Sequence, residues 1–146
     1  MEYQIKNLDQ MRDWVKEFIH GVHQKESANI ITLSGDLGAG KTTLTQILAK
    51  QIGIHETITS PTFVIQKEYN VDGHIWIKKM IHIDAYRLER KEDLEYLGWN
   101  EIIQNRENLV IVEWPEMIHG INIPNQIHLE ISINEDHTRT IKKTTS

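Results

Sequence analysis

The chain has 146 residues, a net charge of -5 with neutral histidines, 39% hydrophobic and 25% charged residues, and no cysteine. That is about one domain's length and a globular composition, enough to bury most of its unfolded surface unaided. The acidic balance argues against a broad electrostatic grip on nucleic acid, and the lack of cysteine excludes disulfides and thiolate chemistry. The polar start, MEYQIKNLDQ, has no apolar segment like that of a signal peptide. No apolar run approaches the ~18 residues of a membrane span. A cytoplasmic protein without membrane contact is expected. No internal repeat or linker is visible, so one domain over 1–146 is expected.

In chain order, residues 2–6 alternate weakly and suggest a short strand. Residues 8–24 read as an amphipathic helix, with Met11, Trp14, Val15, Phe18, Ile19 and Val22 at helical spacing. Asn7 or Asp9 is a suitable cap. The β-branched run 29–33 is typical of a buried parallel strand. Helical periodicity resumes over 41–52, and Gly53 is placed to end it. Strands are expected at 63–71 and 74–83, with Asp72-Gly73 as a two-residue hairpin turn. Residues 91–103 are helical in character and broken near Gly98. A second buried strand spans 109–112. Residues 126–133 alternate, with Ile127, Leu129, Ile131 and Ile133 on one face. A last strand over 138–142, after an Asp136-His137 turn, would complete a C-terminal hairpin. Strand, crossover helix, hairpin and strand imply an α/β layered fold with a central mixed, mostly parallel sheet.

The strongest chemical signal is Gly35-Asp36-Leu37-Gly38-Ala39-Gly40-Lys41-Thr42, which satisfies G-x-x-x-x-G-K-[ST]. Glycines let successive N–H groups turn inward as an anion nest, and the following helix adds its positive end. Lys41 would reach the β- and γ-phosphates, and the Thr42 hydroxyl would ligate magnesium. Thr43 adjoins the loop as a further nucleotide-side residue. With Gly at about 7% of residues, a chance match in this length is on the order of one in a few hundred. The motif also follows an apolar strand and opens a helix, as its mechanism requires.

A phosphate loop needs an acid at the end of a neighbouring strand. Leu109 to Val112 deliver Glu113 to such an edge. Most such sites carry Asp; a Glu reaches the ion through water. Trp114 follows and is read either as a ring beside the nucleotide or a partner, or as a half-buried aromatic. Between the two motifs lie Ser60-Pro61-Thr62-Phe63 and His82-Ile83-Asp84-Ala85-Tyr86-Arg87. Thr62 suits a γ-phosphate-sensing loop, and Asp84 suits a residue orienting water or a magnesium-bound one. A proline turn and a surface Asp beside a packed Tyr are equally good readings of these residues alone.

GDLGAGKTTL, SPTF, HIDAYR and VEWPE, in this order and spacing, resemble the TsaE family of bacterial ATPases, also called YjeE. The likeness runs from the first helix through VEWPE and is weak in the C-terminal hairpin. It implies a P-loop NTPase-like three-layer fold, and ATP and Mg2+ as cofactors. It implies a role in forming N6-threonylcarbamoyladenosine in tRNAs that read ANN codons, with TsaD and TsaB as partners and tRNA met only through that assembly. Slow ATP hydrolysis by the chain alone is implied too. By the family pattern, Lys41 and Thr42 match the phosphate and magnesium positions and Glu113 the second magnesium residue. Asp84 and Trp114 match positions important for activity, and Thr62 the switch-like loop. The segment Asn7 to Asp9, near the first helix, and Arg139 match base-contacting positions.

Other readings remain. A GTPase would carry N-K-x-D, but Asn105-Arg106-Glu107-Asn108 lacks both Lys and Asp. A small-molecule kinase would carry an arginine-rich lid, and only Arg87 and Arg90 are candidates. A nucleotide-dependent binding module would use hydrolysis only to reset a partner. His20 with His23, or His82 with Asp84, are the nearest approaches to a metal site. No third ligand has suitable spacing, and surface histidines are expected instead.

Overall fold

The computed structural model describes residues 1–36, 38–59, 65–119, 121–123 and 125–145. Among these residues seven strands form one sheet in the order β1-β7-β6-β2-β5-β4-β3. They are β1 (Glu2–Ile5), β2 (Asn29–Ser34), β3 (Gln66–Asn70), β4 (Lys79–Asp84), β5 (Asn108–Glu113), β6 (Gln126–Ile133) and β7 (Arg139–Thr145). The helices are α1 (Leu8–His20), α2 (Lys41–Ile52), α3 (Lys91–Tyr96) and α4 (Trp99–Gln104). The centre, β6-β2-β5-β4, is parallel. The flanking pairs β1-β7, β6-β7 and β3-β4 are antiparallel. The sheet is therefore mixed with a parallel heart, as the sequence led us to expect.

Burial follows the two-residue period of the strands. Ile31, Leu33, Leu109, Ile111, Leu129 and Ile131 pack against α1 and α2 through Val15, Phe18, Leu44 and Leu48. Ile30, Ile81, Ile83, Val110 and Val112 face the other way, onto Leu94, Trp99 and Ile102 of α3 and α4. Apolar layers on both faces explain why β2 and β5 read as continuous hydrophobic runs. Among the described residues no helix is long and apolar enough to cross a membrane.

Several boundaries differ from expectation. α1 is capped by Asn7, whose side chain accepts from Gln10 N at 2.9 Å. It stops at His20 rather than near residue 24, with Gly21 as its C-cap. β3 begins at Gln66 among the described residues, and positions 63 and 64 lie outside them. β3 and β4 do pair as a hairpin, but residues 71–78 connect them, not Asp72-Gly73 alone. The reason lies in His74. Its Nδ1 accepts from Trp76 N at 3.2 Å and Ile77 N at 3.0 Å, folding 74–77 into a turn. Asp72 N–H is drawn to Gly53 O at 3.0 Å, the end of α2. Ile133 shares the face of Leu129 and Ile131 but is 45% exposed at the end of β6.

Candidate nucleotide site

The loop after β2 is shaped by glycines where other residues do not fit. Gly35 has φ 145, and a Cβ built on it would fall on the carbonyl oxygen of Ile131. Gly40 has φ 115 and is the N-cap of α2, with no side chain bonded to that helix start. No acidic residue lies in the first turn. The first N–H groups of α2 thus have neither a capping side chain nor a carboxylate, the condition in which a helix start attracts an anion. Lys41 is 6% exposed, and its Nζ donates to Gly35 O and to Asp36 O (3.2 Å). The ammonium is held across the loop by backbone carbonyls, where it faces any group the loop admits.

Two carboxylates end the neighbouring strands. Parallel register sets Leu33 beside Glu113 and Glu113 beside Asp84. Both acids are buried, at 3% and 5% exposure. They therefore stand at the carboxyl edge of the sheet beside the phosphate loop, where open α/β sheets bind ligands. Asp84 Oδ1 accepts from Tyr86 N at 3.0 Å, capping a 3-10 turn at Ala85–Arg87. Beyond Glu113 the chain stays tied to β2, with Trp114 N donating to Leu33 O at 3.0 Å. Trp114 then takes φ 57, a left-handed conformation uncommon outside glycine. That bend sets its ring 4.4 Å from Lys41 Nζ and edge-on to Tyr86 at 5.4 Å. The indole is a lid on the lysine, a cation–π contact any incoming phosphate would meet.

The histidines need a correction. His20 and His23 are exposed, but His82 is fully buried and its Nε2 lies 2.5 Å from Glu113 Oε2. Sequence reasoning noted that His82 shares a strand face with Asp84 and still expected a surface residue. The signal was the alternation Met80, His82, Asp84, which continues the face carrying the α1/α2 core. Among the described residues no group of three or more His, Asp or Glu side chains could hold a metal. Thr42 and Glu113 are the candidate donors. A set of two protein oxygens suits magnesium, which keeps several waters and takes phosphate oxygens.

A cavity of about 280 Å³ adjoins the loop, lined by Ile5, Asn7, Met11, Gly40, Thr43 and Arg139 among others. It exists because β1 pairs with β7, setting Ile5 against Arg139. Arg139 Nε donates to Ala39 O at 3.0 Å, anchoring the guanidinium to the loop. Apolar walls with a few fixed polar groups suit a flat heterocycle. Asp9 does not line this cavity; it pairs with Arg12 at 2.9 Å on the exposed side of α1. Leu37 and Thr62 lie outside the described residues. The nearest approach to a guanine motif, residues 105–108, lies at the opposite end of β5 from Glu113. There Asn105 accepts from Glu107 N, and Asn108 donates to Ile102 O.

The family model described as threonylcarbamoyl adenosine biosynthesis protein TsaE matches residues 5–142. The tRNA threonylcarbamoyladenosine biosynthesis protein TsaE of Haemophilus influenzae is 38% identical over 111 residues, 76% of this chain and 67% of that protein. The protein of the same description from Bacillus subtilis is 38% identical over 113 residues, 77% of this chain and 67% of that one. Among solved structures, Bacillus subtilis YdiB superposes with a TM-score of 0.76 and 28% identity, covering 100% of this chain and 84% of that one. The chain shares its P-loop fold with that structure.

Proposed function

The chain belongs to the TsaE family, and from that premise we propose that it binds and slowly hydrolyses ATP with magnesium in support of tRNA N6-threonylcarbamoyladenosine formation. The observation that carries this reading is one edge of the sheet. Lys41 lies across the loop after β2, and Glu113 and Asp84 end the adjoining parallel strands in register.

In this reading the backbone N–H groups of 36–42 and Lys41 hold the phosphates. Thr42 and Glu113 hold the ion, which when bound supplies charge to neutralise the phosphate oxygens. Asp84 orients water or the ion's outer shell. The cavity beside Arg139 receives the base. Trp114, with the segment 60–63, passes nucleotide state to partners, for which TsaD and TsaB are the proposed proteins. tRNA is reached through that assembly. GTP is disfavoured, because residues 105–108 sit at the wrong end of β5 and are bonded locally. Phosphate released to water rather than transferred to an acceptor would separate hydrolysis from a kinase reaction.

The test separates binding from chemistry. Asp84→Ala is expected to leave ATP affinity within about threefold while lowering phosphate release at least tenfold, the scale on which a positioned acid–base group acts. Equal loss of both would assign Asp84 to binding or folding. In a reconstituted modification assay with TsaD and TsaB, product formation unchanged by omitting this chain would overturn the proposed role.

A further inference from the structure

His82 is not accounted for by the roles above, and its setting is unusual. Its side chain is 0% exposed and that of Glu113 4% exposed, with Nε2 to Oε2 at 2.5 Å. The pairing is built by the sheet. His82 stands opposite Ile111 in parallel register, one inward-facing position before Glu113, so the imidazole reaches diagonally toward the strand end. Its neighbours on that face, Met80 and Ile111, are apolar core residues. A side chain needed only to fill this volume would be apolar as well. The imidazole instead brings a polar atom with a cost, because its Nδ1 is buried without a hydrogen-bond partner among the described residues. Buried polar atoms of this kind call for an explanation in function.

We propose that His82 is the positioning residue for Glu113. It holds one carboxylate oxygen so that the other is presented to the magnesium ion or its water shell. This rests on the assignment of Glu113 to the magnesium site made above. An ionised carboxylate only accepts hydrogen bonds, so Nε2 carries the hydrogen and donates it. Among the described residues no other hydrogen bond reaches the Glu113 carboxylate, so this contact is the directional one that orients a three-torsion side chain. Glutamate is longer than the aspartate usual at such a strand end, and an outer partner that fixes it restores the lost definition. Outer partners of this type commonly change metal affinity 10–100-fold when removed.

The experiment compares nucleotide affinity of the full chain, by calorimetry, in magnesium and in EDTA. The ratio of the two dissociation constants is the magnesium enhancement. His82→Gln places an amide nitrogen where Nε2 stands and is expected to keep most of the wild-type enhancement. His82→Asn ends where Nδ1 stands, cannot reach Glu113, and is expected to lose about tenfold or more. Affinity in EDTA should match wild type in both, because the loop and Lys41 are untouched. His82→Leu, if it folds by thermal melt, should behave like the asparagine variant. Equal enhancement in wild type and in the glutamine and asparagine variants would overturn the role of His82 while leaving nucleotide binding intact. A wild-type protein that binds nucleotide equally well in EDTA would overturn the magnesium assignment, and this proposal with it.

Discussion

Gly35 does two jobs with one hydrogen atom. It follows β2 directly, turns with φ 145, and lies against the Ile131 backbone of β6. Its carbonyl also receives the Lys41 ammonium. Gly35→Ala must either displace the end of β6 or reshape the loop, and strain at such a position costs about 1–3 kcal/mol. Chemical denaturation should show a loss of that size with ATP binding weakened together; unchanged stability would mean the loop adapts without strain. At this scale the sequence was informative for residues whose chemistry is tied to a motif. Lys41 and Thr42 are marked by the glycine loop and Glu113 by its strand end, whereas Asp84 read equally well as a surface acid until the register set it beside Glu113. His82 was missed because a polar residue in a strand reads as surface unless both faces of the sheet are known to be covered, as they are here. Trp114 was recognised but not its left-handed backbone, which depends on β5 being held to β2 through Leu33. Of the segment Asn7 to Asp9 that the family resemblance matched to a base contact, Asn7 and Leu8 line the cavity, while the helix turns Asp9 outward to Arg12.

Among elements, the 71–78 connection shows how a side chain overrides a turn signal. Asp72-Gly73 favours a tight hairpin, but His74 accepts two backbone N–H groups and builds a different turn. Burial, and then the positive Lys78, hold the His74 imidazole below its ordinary value of 6.5. The neutral ring is therefore favoured by the folded state. Its contribution is present above pH 6.5 and is lost as pH falls below that value, where the unfolded chain gains a proton more readily. The connection should loosen first on acidification, seen as faster amide exchange at Trp76 and Ile77. His74→Asn, which keeps an acceptor without titrating, should remove the pH dependence; if the dependence persists, His74 is not its source. The long periodic elements were easier to read. β2 and β5 announce themselves by apolar runs buried on both faces, and α2 by its buried stripe of Leu44, Leu48 and Ile52. The start of β4 at residue 79 was not legible, because it depends on the His74 turn and on the bond from Asp72 to the end of α2.

Across the whole molecule, strand order is what gathers the site, and order was the least visible feature. Apolar runs identified the central strands, but nothing local says that β6 lies on the opposite side of β2 from β5. Nor does it say that the first strand pairs with the last. Those two choices bring Ile131 against Gly35 and close the cavity between Ile5 and Arg139. Nucleotide binding at this edge is the claim on which the rest depends, and Lys41→Ala tests it most directly by calorimetric titration with ATP and magnesium. A hydrogen bond to a charged group contributes about 1.5–3 kcal/mol, so the variant should bind at least about tenfold more weakly than wild type while melting at a similar temperature. Wild-type affinity in the folded variant, or no binding of ATP to the wild-type chain, would contradict a phosphate site between β2 and α2.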